Sequence, residues 1–299
     1  MPSSRGLGTI ITAMATPFGP GLELNEAATR RLARHLVEHG SDGVVVAGTT
    51  GESATLSDDE KLRLLDVVLD EIGEDATVIA GTGSNDTAHS VHLTRAATDH
   101  GAHAVLVVTP YYNKPSRRGL AAHFEAVAAA TDRPVFLYNI PARCVINLEP
   151  DLLIELSQIE NVAAIKQAND DLGQARKIVE ETSLDLYAGD DGLLRPFAEI
   201  GGAGGICVSS HLVGEQMLEM YEAVLAGDHE RARAIDEELT DIYATLFFTA
   251  SPAPVKAALN MMGVEAGGCR LPIADLTDDE LPRISAMLEA HGFVPSATR

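Results

Sequence analysis

Short apolar runs alternate with helical patterns along most of the chain. Eight of the runs have the length of a buried strand, and their apolar residues are continuous rather than alternating with polar ones. They lie at 8–16, 42–48, 76–83, 104–110, 134–140, 162–168, 184–189 and 204–210. Continuous apolar strands are typical of a parallel sheet that is covered on both faces.

Amphipathic segments with helix start signals separate these runs. Asn25 is an N-cap residue for the first segment, while Ser57 and Glu60 form a capping box before a segment that ends at Gly73. Eight strands, each followed by a helix, predict a closed (β/α)8 TIM barrel of the α/β class. A doubly wound open sheet is the alternative, although it rarely contains eight such even units.

The strand pattern stops after the eighth run, and only helical patterns follow it. The segment "LVGEQMLEMYEAVLAG" is predicted to be the eighth barrel helix, and the helical patterns continue from about residue 229. We therefore predict a catalytic barrel at 1–228 and a C-terminal helical region at 229–299. Because no low-complexity linker separates them, we expect the appendage to pack on the barrel.

Composition narrows the classes of partner. Among 299 residues, 22 Lys and Arg stand against 44 Asp and Glu, a net charge of −22 that repels phosphate backbones and anionic lipid. We expect neither a nucleic-acid nor a membrane partner, and no apolar run approaches the roughly 18 residues of a membrane span. Three scattered cysteines without metal-site spacing, and no signal-peptide pattern, lead us to expect a cytoplasmic protein without a metal.

Candidate chemistry lies where the predicted strands end, because the loops at the carboxyl ends of barrel strands carry the active site in this fold. The polar residues found there are Thr49, Thr50, Tyr111, Tyr112, Tyr138 and Arg143, while Lys166 lies inside the sixth predicted strand.

Lys166 is the strongest candidate for a catalytic residue among them. Inside "VAAIKQA" it must either reach solvent or point into the barrel, where burial without a partner favours the neutral amine. A neutral amine at a barrel mouth can attack a ketone and form a Schiff base. The structural alternative is a strand-end lysine that reaches solvent or pairs with a carboxylate.

The other candidates have structural alternatives as well. Tyr138 is suited to moving a proton, and Arg143 to clamping a substrate carboxylate, although an Arg here could also be a surface residue. Thr49 and Thr50 offer hydroxyl and N–H groups, or else form a turn that caps the next helix. The coincidence of these residues at the ends of neighbouring strands favours the functional interpretation.

Six segments together resemble a known family in their order and spacing: "AGTTGESATLS", "VVTPYYNKPS", "YNIPAR", "IKQA", "AGDD" and "SPAPVK". The chain resembles the dihydrodipicolinate synthases (4-hydroxy-tetrahydrodipicolinate synthases) of the pyruvate-dependent class I aldolase superfamily. The similarity runs from about Gly8 to Ile273, and the paired "GTTGES" and "YNIPAR" segments are specific to the synthase branch.

The resemblance implies a mechanism without a cofactor. Lys166 would form a Schiff base with pyruvate, and the resulting enamine would attack aspartate-4-semialdehyde. Tyr138 would donate and accept protons, linked to Thr49 and to a Tyr112 lent by a neighbouring subunit. The substrate-binding residues would be Thr50 and the backbone of Ile206 for the pyruvate carboxylate, Arg143 for the semialdehyde carboxylate, and Gly189.

The resemblance also implies a homotetramer, assembled as a dimer of dimers, in lysine and diaminopimelate biosynthesis. This chain departs from the family at Gln167, Cys144 and Val145, and these departures concern the choice of aldehyde. One alternative is therefore another pyruvate aldolase or keto-acid dehydratase acting on a sugar acid, and another is a non-catalytic, metabolite-sensing barrel.

The allosteric lysine pocket of some family members would map to Ser53, Ala54, Asp58, Lys61, Asn85, His89 and Tyr111. His89 replaces an acidic residue that would meet a lysine ammonium, and Lys61 adds a like charge. We therefore expect weak or absent feedback inhibition by lysine.

Overall fold

A computed structural model describes residues 6–293, and within them eight parallel strands close into one barrel in sequence order. The strands are β1 (Ile10–Ala13), β2 (Gly43–Val46), β3 (Thr77–Gly81), β4 (Ala104–Val108), β5 (Val135–Asn139), β6 (Val162–Gln167), β7 (Asp185–Ala188) and β8 (Gly204–Cys207). Each lies inside one of the eight predicted runs. The predicted (β/α)8 barrel is thus confirmed, and the open sheet is wrong because β1 also pairs with β8.

Helices surround the barrel and connect its strands. They are α1 (Glu26–Glu38), α2 (Asp58–Ile72), α3 (Thr87–Asp99), α4 (Arg117–Ala128), α5 (Pro141–Cys144), α6 (Pro150–Leu156), α7 (Leu172–Glu181), α8 (Leu194–Glu199) and α9 (Ser210–Leu225). The capping predictions are confirmed, because Asn25 accepts from the Ala28 amide and Ser57 and Glu60 cap each other's backbone amides. The connection after β5 contains two helices, since Pro141 and Pro150 each start a new one.

Within the described residues, three helices follow the barrel: α10 (His229–Leu246), α11 (Ala253–Met261) and α12 (Leu281–Ala290). Their apolar faces join the same buried core as the strands, through residues such as Ile242, Leu259 and Ile284. Each of these three side chains has no solvent exposure, so the C-terminal helices contribute to the core instead of lying on it as a separate layer. No helix of residues 6–293 is long and apolar enough to cross a membrane.

Candidate active site

Lys166 and Tyr138 are neighbours across the ladder between β5 and β6. Their residues are 5% and 4% exposed, and the Lys166 Nζ lies 4.4 Å from the centroid of the Tyr138 ring. No carboxylate of the described residues lies within ion-pair distance of Lys166. The lysine therefore neither reaches solvent nor pairs with a carboxylate, and the structural alternative is wrong.

A second buried lysine provides an internal comparison. Lys256 on α11 donates to Glu52 Oε1 at 2.6 Å and to the Gly268 carbonyl at 2.7 Å. Burial lowers the pKa of Lys256, and the Glu52 carboxylate opposes this effect. An amine held in this way is committed to structure, which leaves Lys166 as the buried amine beside the phenol ring of Tyr138.

Gly189 provides the space that the Lys166 side chain occupies. A Cβ at position 189 would lie 3.0 Å from Lys166 Cγ and 2.9 Å from the Cβ of Ala168. Any larger residue would have to displace the lysine stem. Gly189, which the resemblance implies to be a substrate-binding residue, thus lies beside the Lys166 side chain.

The loop after β2 brings the threonine pair to the same place. Thr16 Oγ1 donates to the Gly51 carbonyl at 2.7 Å, and the Glu52 amide donates to the Thr49 carbonyl at 3.1 Å. Thr49 is half-buried and lines a small cavity together with Tyr138, while Thr50 is buried. The alternative that this loop caps α2 is wrong, because Ser57 does so.

Arg143 lies on the short helix α5, at the edge of a cavity of about 570 Å³ that Thr49 also lines. Its side chain is exposed, and no acidic group among residues 6–293 forms an ion pair with it. The Cys144 Sγ donates to the Thr109 carbonyl at 3.1 Å, which ties α5 to the end of β4. Burial raises the pKa of Cys144 to about 11, against the opposing charge of Arg143, so this thiol is a structural group.

Ile206 is buried in β8, where it pairs with Ile11 of β1. The segment that follows it is held by a buried carboxylate, because Asp191 accepts from the amides of Val208 at 2.9 Å and Ser209 at 2.6 Å. Asp191 received no role from the sequence, although the acidic pair in "AGDD" directly after a strand was a signal for it.

Tyr112 is not buried with Lys166 and Tyr138 within one chain. It is 86% exposed and adopts a left-handed backbone with φ of 73°. Tyr111, by contrast, lines the cavity of about 570 Å³ that Arg143 borders, which we call the main cavity. A left-handed φ is unusual for an aromatic residue and indicates that the surroundings determine its position.

The sequence drew attention to Gln167 as a departure from the family, but it gave no role to Asn139 and did not predict that the two side chains bond each other. Asn139 and Gln167 have no solvent exposure, and Asn139 Nδ2 donates to Gln167 Oε1 at 2.9 Å. The apolar pattern around them predicted a strand but not this bond. No cluster of three or more His, Cys, Asp or Glu side chains that could hold a metal ion occurs in the described part of the chain.

Comparison with known proteins identifies a consistent set of relatives. The profile of the Dihydrodipicolinate synthetase family matches residues 6–291. A 4-hydroxy-tetrahydrodipicolinate synthase of Moorella thermoacetica is 46% identical over 289 residues, which are 96% of this chain and 99% of that protein.

Solved structures agree in fold. A crystal structure of a dihydrodipicolinate synthase from Bacillus anthracis superimposes with a TM-score of 0.93 at 41% identity, covering 98% of this chain and 99% of that one. The enzyme from Cyanidioschyzon merolae, solved with lysine bound, superimposes with a TM-score of 0.94 at 39% identity, and the match covers 96% of this chain and 99% of that one.

Proposed function

The chain belongs to the dihydrodipicolinate synthetase family, and we propose that it condenses pyruvate with aspartate-4-semialdehyde through a Schiff base on Lys166. It is a pyruvate-dependent lyase of lysine biosynthesis, and its product is 4-hydroxy-tetrahydrodipicolinate. The observation that carries the mechanism is a buried lysine without a carboxylate partner, facing a buried phenol.

The chemistry follows from what an amine does to a ketone. The Lys166 nitrogen attacks the keto carbon of pyruvate, water leaves, and the Schiff base draws electrons from the adjacent methyl group. Loss of a methyl proton gives an enamine, whose carbon forms the new C–C bond with the aldehyde. The amino group of the semialdehyde then attacks the Schiff-base carbon and displaces the Lys166 nitrogen, which closes the ring of the product and regenerates the amine.

Tyr138 is the proton carrier of this proposal. Its ring lies against Lys166, and it shares a small cavity with Thr49. Among the described residues its hydroxyl has no hydrogen-bond partner within the chain, which leaves it available to substrate and to a relay. Tyr112, exposed in one chain, would complete that relay from a neighbouring subunit, so the smallest competent unit is a dimer within a homotetramer.

Substrate carboxylates would bind on opposite sides of the Schiff base. Thr50 and the Ile206 backbone would hold pyruvate near Lys166, at a site kept open by Gly189. Arg143 would hold the carboxylate of the semialdehyde, because its guanidinium borders the cavity without an acidic partner. That free arginine is also the observation that favours this acceptor over a sugar acid.

Borohydride reduction of the protein with pyruvate tests the mechanism. We expect a stable adduct on Lys166, located by mass spectrometry, and none in Lys166→Ala. A matched control is Lys256→Ala, which removes the other buried lysine of the site region and should leave an adduct on Lys166 wherever that variant folds. An adduct that persists in Lys166→Ala would show that the mechanism is wrong.

Tyr138→Phe separates binding of pyruvate from proton transfer in the same assay. Its turnover should fall by about 10²–10³, the range for a general acid–base group, while pyruvate is still trapped. Near-normal turnover would remove Tyr138 from the relay. No turnover of semialdehyde by the parent protein, with pyruvate still trapped, would mean that the same chemistry serves another aldehyde.

A further inference from the structure

Five side-chain amides form one hydrogen-bonded network at the carboxyl ends of β5 and β6: Asn139, Asn147, Gln167, Asn169 and Gln174. Asn139 and Gln167 pair across the ladder one position after Tyr138 and Lys166. Because successive side chains of a strand point to opposite faces, the amide network lies behind the reactive pair.

The network closes the loop that carries Arg143. Asn139 Nδ2 donates to Asn147 Oδ1 at 2.8 Å, and the Leu148 amide donates back to Asn139 Oδ1 at 3.0 Å. Residues 139 and 148 are thereby joined, and Arg143 lies midway between them. The same loop is held from α7, where Gln174 Nε2 donates to the Leu148 carbonyl at 2.5 Å.

Asn147 connects this loop to the strand of the reactive lysine. Its Oδ1 also accepts from Asn169 Nδ2 at 3.0 Å, and Asn169 Oδ1 accepts from Gln167 Nε2 at 2.8 Å. A carboxamide has one accepting end and one donating end, so these bonds specify a single arrangement of the linked residues. The position of the Arg143 loop is thus tied to the residue next to Lys166.

We propose that this amide network is a positioning device that sets the distance between Arg143 and Lys166 and so selects the aldehyde acceptor. The proposal rests on the proposed function, because it assigns Arg143 to the acceptor carboxylate. Tyr138 and Lys166 are held by the backbone ladder of β5 and β6 as well, so loosening the network should affect the acceptor step and spare the pyruvate step.

Asn147→Ala tests this assignment, since it removes the central link of the network without touching the reactive pair. We expect KM for aspartate-4-semialdehyde to rise about tenfold or more, because misplacing a positioning group by about 1 Å can cost up to about 10²-fold. KM for pyruvate and the fraction trapped by borohydride should stay within about twofold of the parent protein.

Two further variants separate positioning from general stability. Asn147→Asp retains the oxygen that accepts from Asn139 and Asn169, and it is combined with Glu149→Gln because Asn147 Nδ2 donates to the Glu149 carboxylate at 3.1 Å; this Asp variant should recover part of the affinity for semialdehyde. Asn161→Ala removes a comparable amide at the opposite end of β6, where Asn161 Nδ2 bonds the carbonyls of Ala128 and Thr131 at 2.9 Å each. In that control, KM for semialdehyde should not rise relative to KM for pyruvate.

The double variant Arg143→Ala/Asn147→Ala decides whether the network acts through Arg143. If it does, kcat/KM for semialdehyde in the double variant equals that of Arg143→Ala alone, because the second change has nothing left to misplace. Additive losses, parallel changes in both KM values, or an Asp variant as poor as the Ala variant would each overturn the proposal. Failure of the proposed function is distinct, since the parent protein would then show no semialdehyde-dependent turnover.

Discussion

Asp58 at the edge of the main cavity already has two side-chain partners, His89 and Lys61. His89 Nε2 lies 2.8 Å from one of its carboxylate oxygens, and Lys61 Nζ lies 3.3 Å from the other. Burial raises the pKa of Asp58, but the bonds from His89 and Lys61 outweigh it and lower that pKa. All seven residues that the resemblance maps to a lysine pocket line this cavity.

A lysine effector would have to bring its ammonium to a carboxylate that is already paired. We therefore predict that turnover retains at least half of its value at about 1 mM lysine, a concentration that corresponds to a binding free energy near −4 kcal/mol. Steady-state rates measured over a lysine titration check this. His89→Glu, which adds a carboxylate to the cavity, should increase sensitivity, and strong inhibition of the parent protein below that concentration would contradict the prediction.

At the scale of elements, the C-terminal region is joined to the loop after β2 by buried charges. Glu52 accepts from Lys256 of α11 at 2.6 Å and from the Arg270 amide at 2.8 Å. The Arg270 guanidinium also bonds Glu60 on α2, and both this guanidinium and the Lys256 ammonium lie over the Phe18 ring. Because Glu52 lies two residues after Thr50, these contacts hold the loop of Thr49 and Thr50 in place.

Lys256→Met should therefore destabilise the protein by about 3–5 kcal/mol, since it leaves the Glu52 carboxylate buried without its partner. The Lys256 and Glu52 side chains are 2% and 1% exposed, so solvent cannot replace the lost ion pair. Chemical unfolding measures the change. The double variant Glu52→Gln/Lys256→Met removes both charges and should recover most of the loss.

An exposed ion pair to the same region is the matched control. Arg31 and Glu265 are 60% and 52% exposed, so Arg31→Met should cost less than about 1 kcal/mol. If Lys256→Met lowers the free energy of unfolding no more than Arg31→Met does, the buried ion pair does not stabilise the contact between the C-terminal region and the loop of Thr49 and Thr50.

At the scale of the whole molecule, Tyr112 is the proposed site residue that a single chain does not bring into its own site. Tyr112 is 86% exposed, on a left-handed turn near the rim of the main cavity that Tyr111 lines. An exposed aromatic residue in a defined backbone conformation suits a contact between subunits. The complete site would then require two chains.

Mixing two inactive variants tests this arrangement. Lys166→Ala and Tyr112→Ala should each have little activity alone, but a mixed dimer contains one site with both an intact lysine and an intact tyrosine. Random reassembly should recover up to about a quarter of the parent activity, because half of the dimers are mixed and each has one intact site. No gain on mixing, with exchange of subunits verified by mass, would place Tyr112 outside its neighbour's site.

Prediction from sequence succeeded where the information is local. The eight strands, the cap at Asn25 and the capping box of Ser57 are all present, because apolar periodicity and capping involve residues a few positions apart. Arg143 and Lys166 could be placed near one another because the carboxyl ends of barrel strands share one face. The amide network was missed, since Asn and Gln within a strand pattern do not reveal their partners.

The sequence alone determined the barrel, the order of its strands and a lysine inside the sixth strand. Only the tertiary structure decided which of two buried lysines has a free amine, because the ion pair of Lys256 joins residues that are 204 positions apart. It also decided that Asn139 donates to both Asn147 and Gln167, on the face of the strands opposite Tyr138 and Lys166. Periodicity specifies which face of an element is buried, whereas the partner of a buried polar group depends on how distant elements pack.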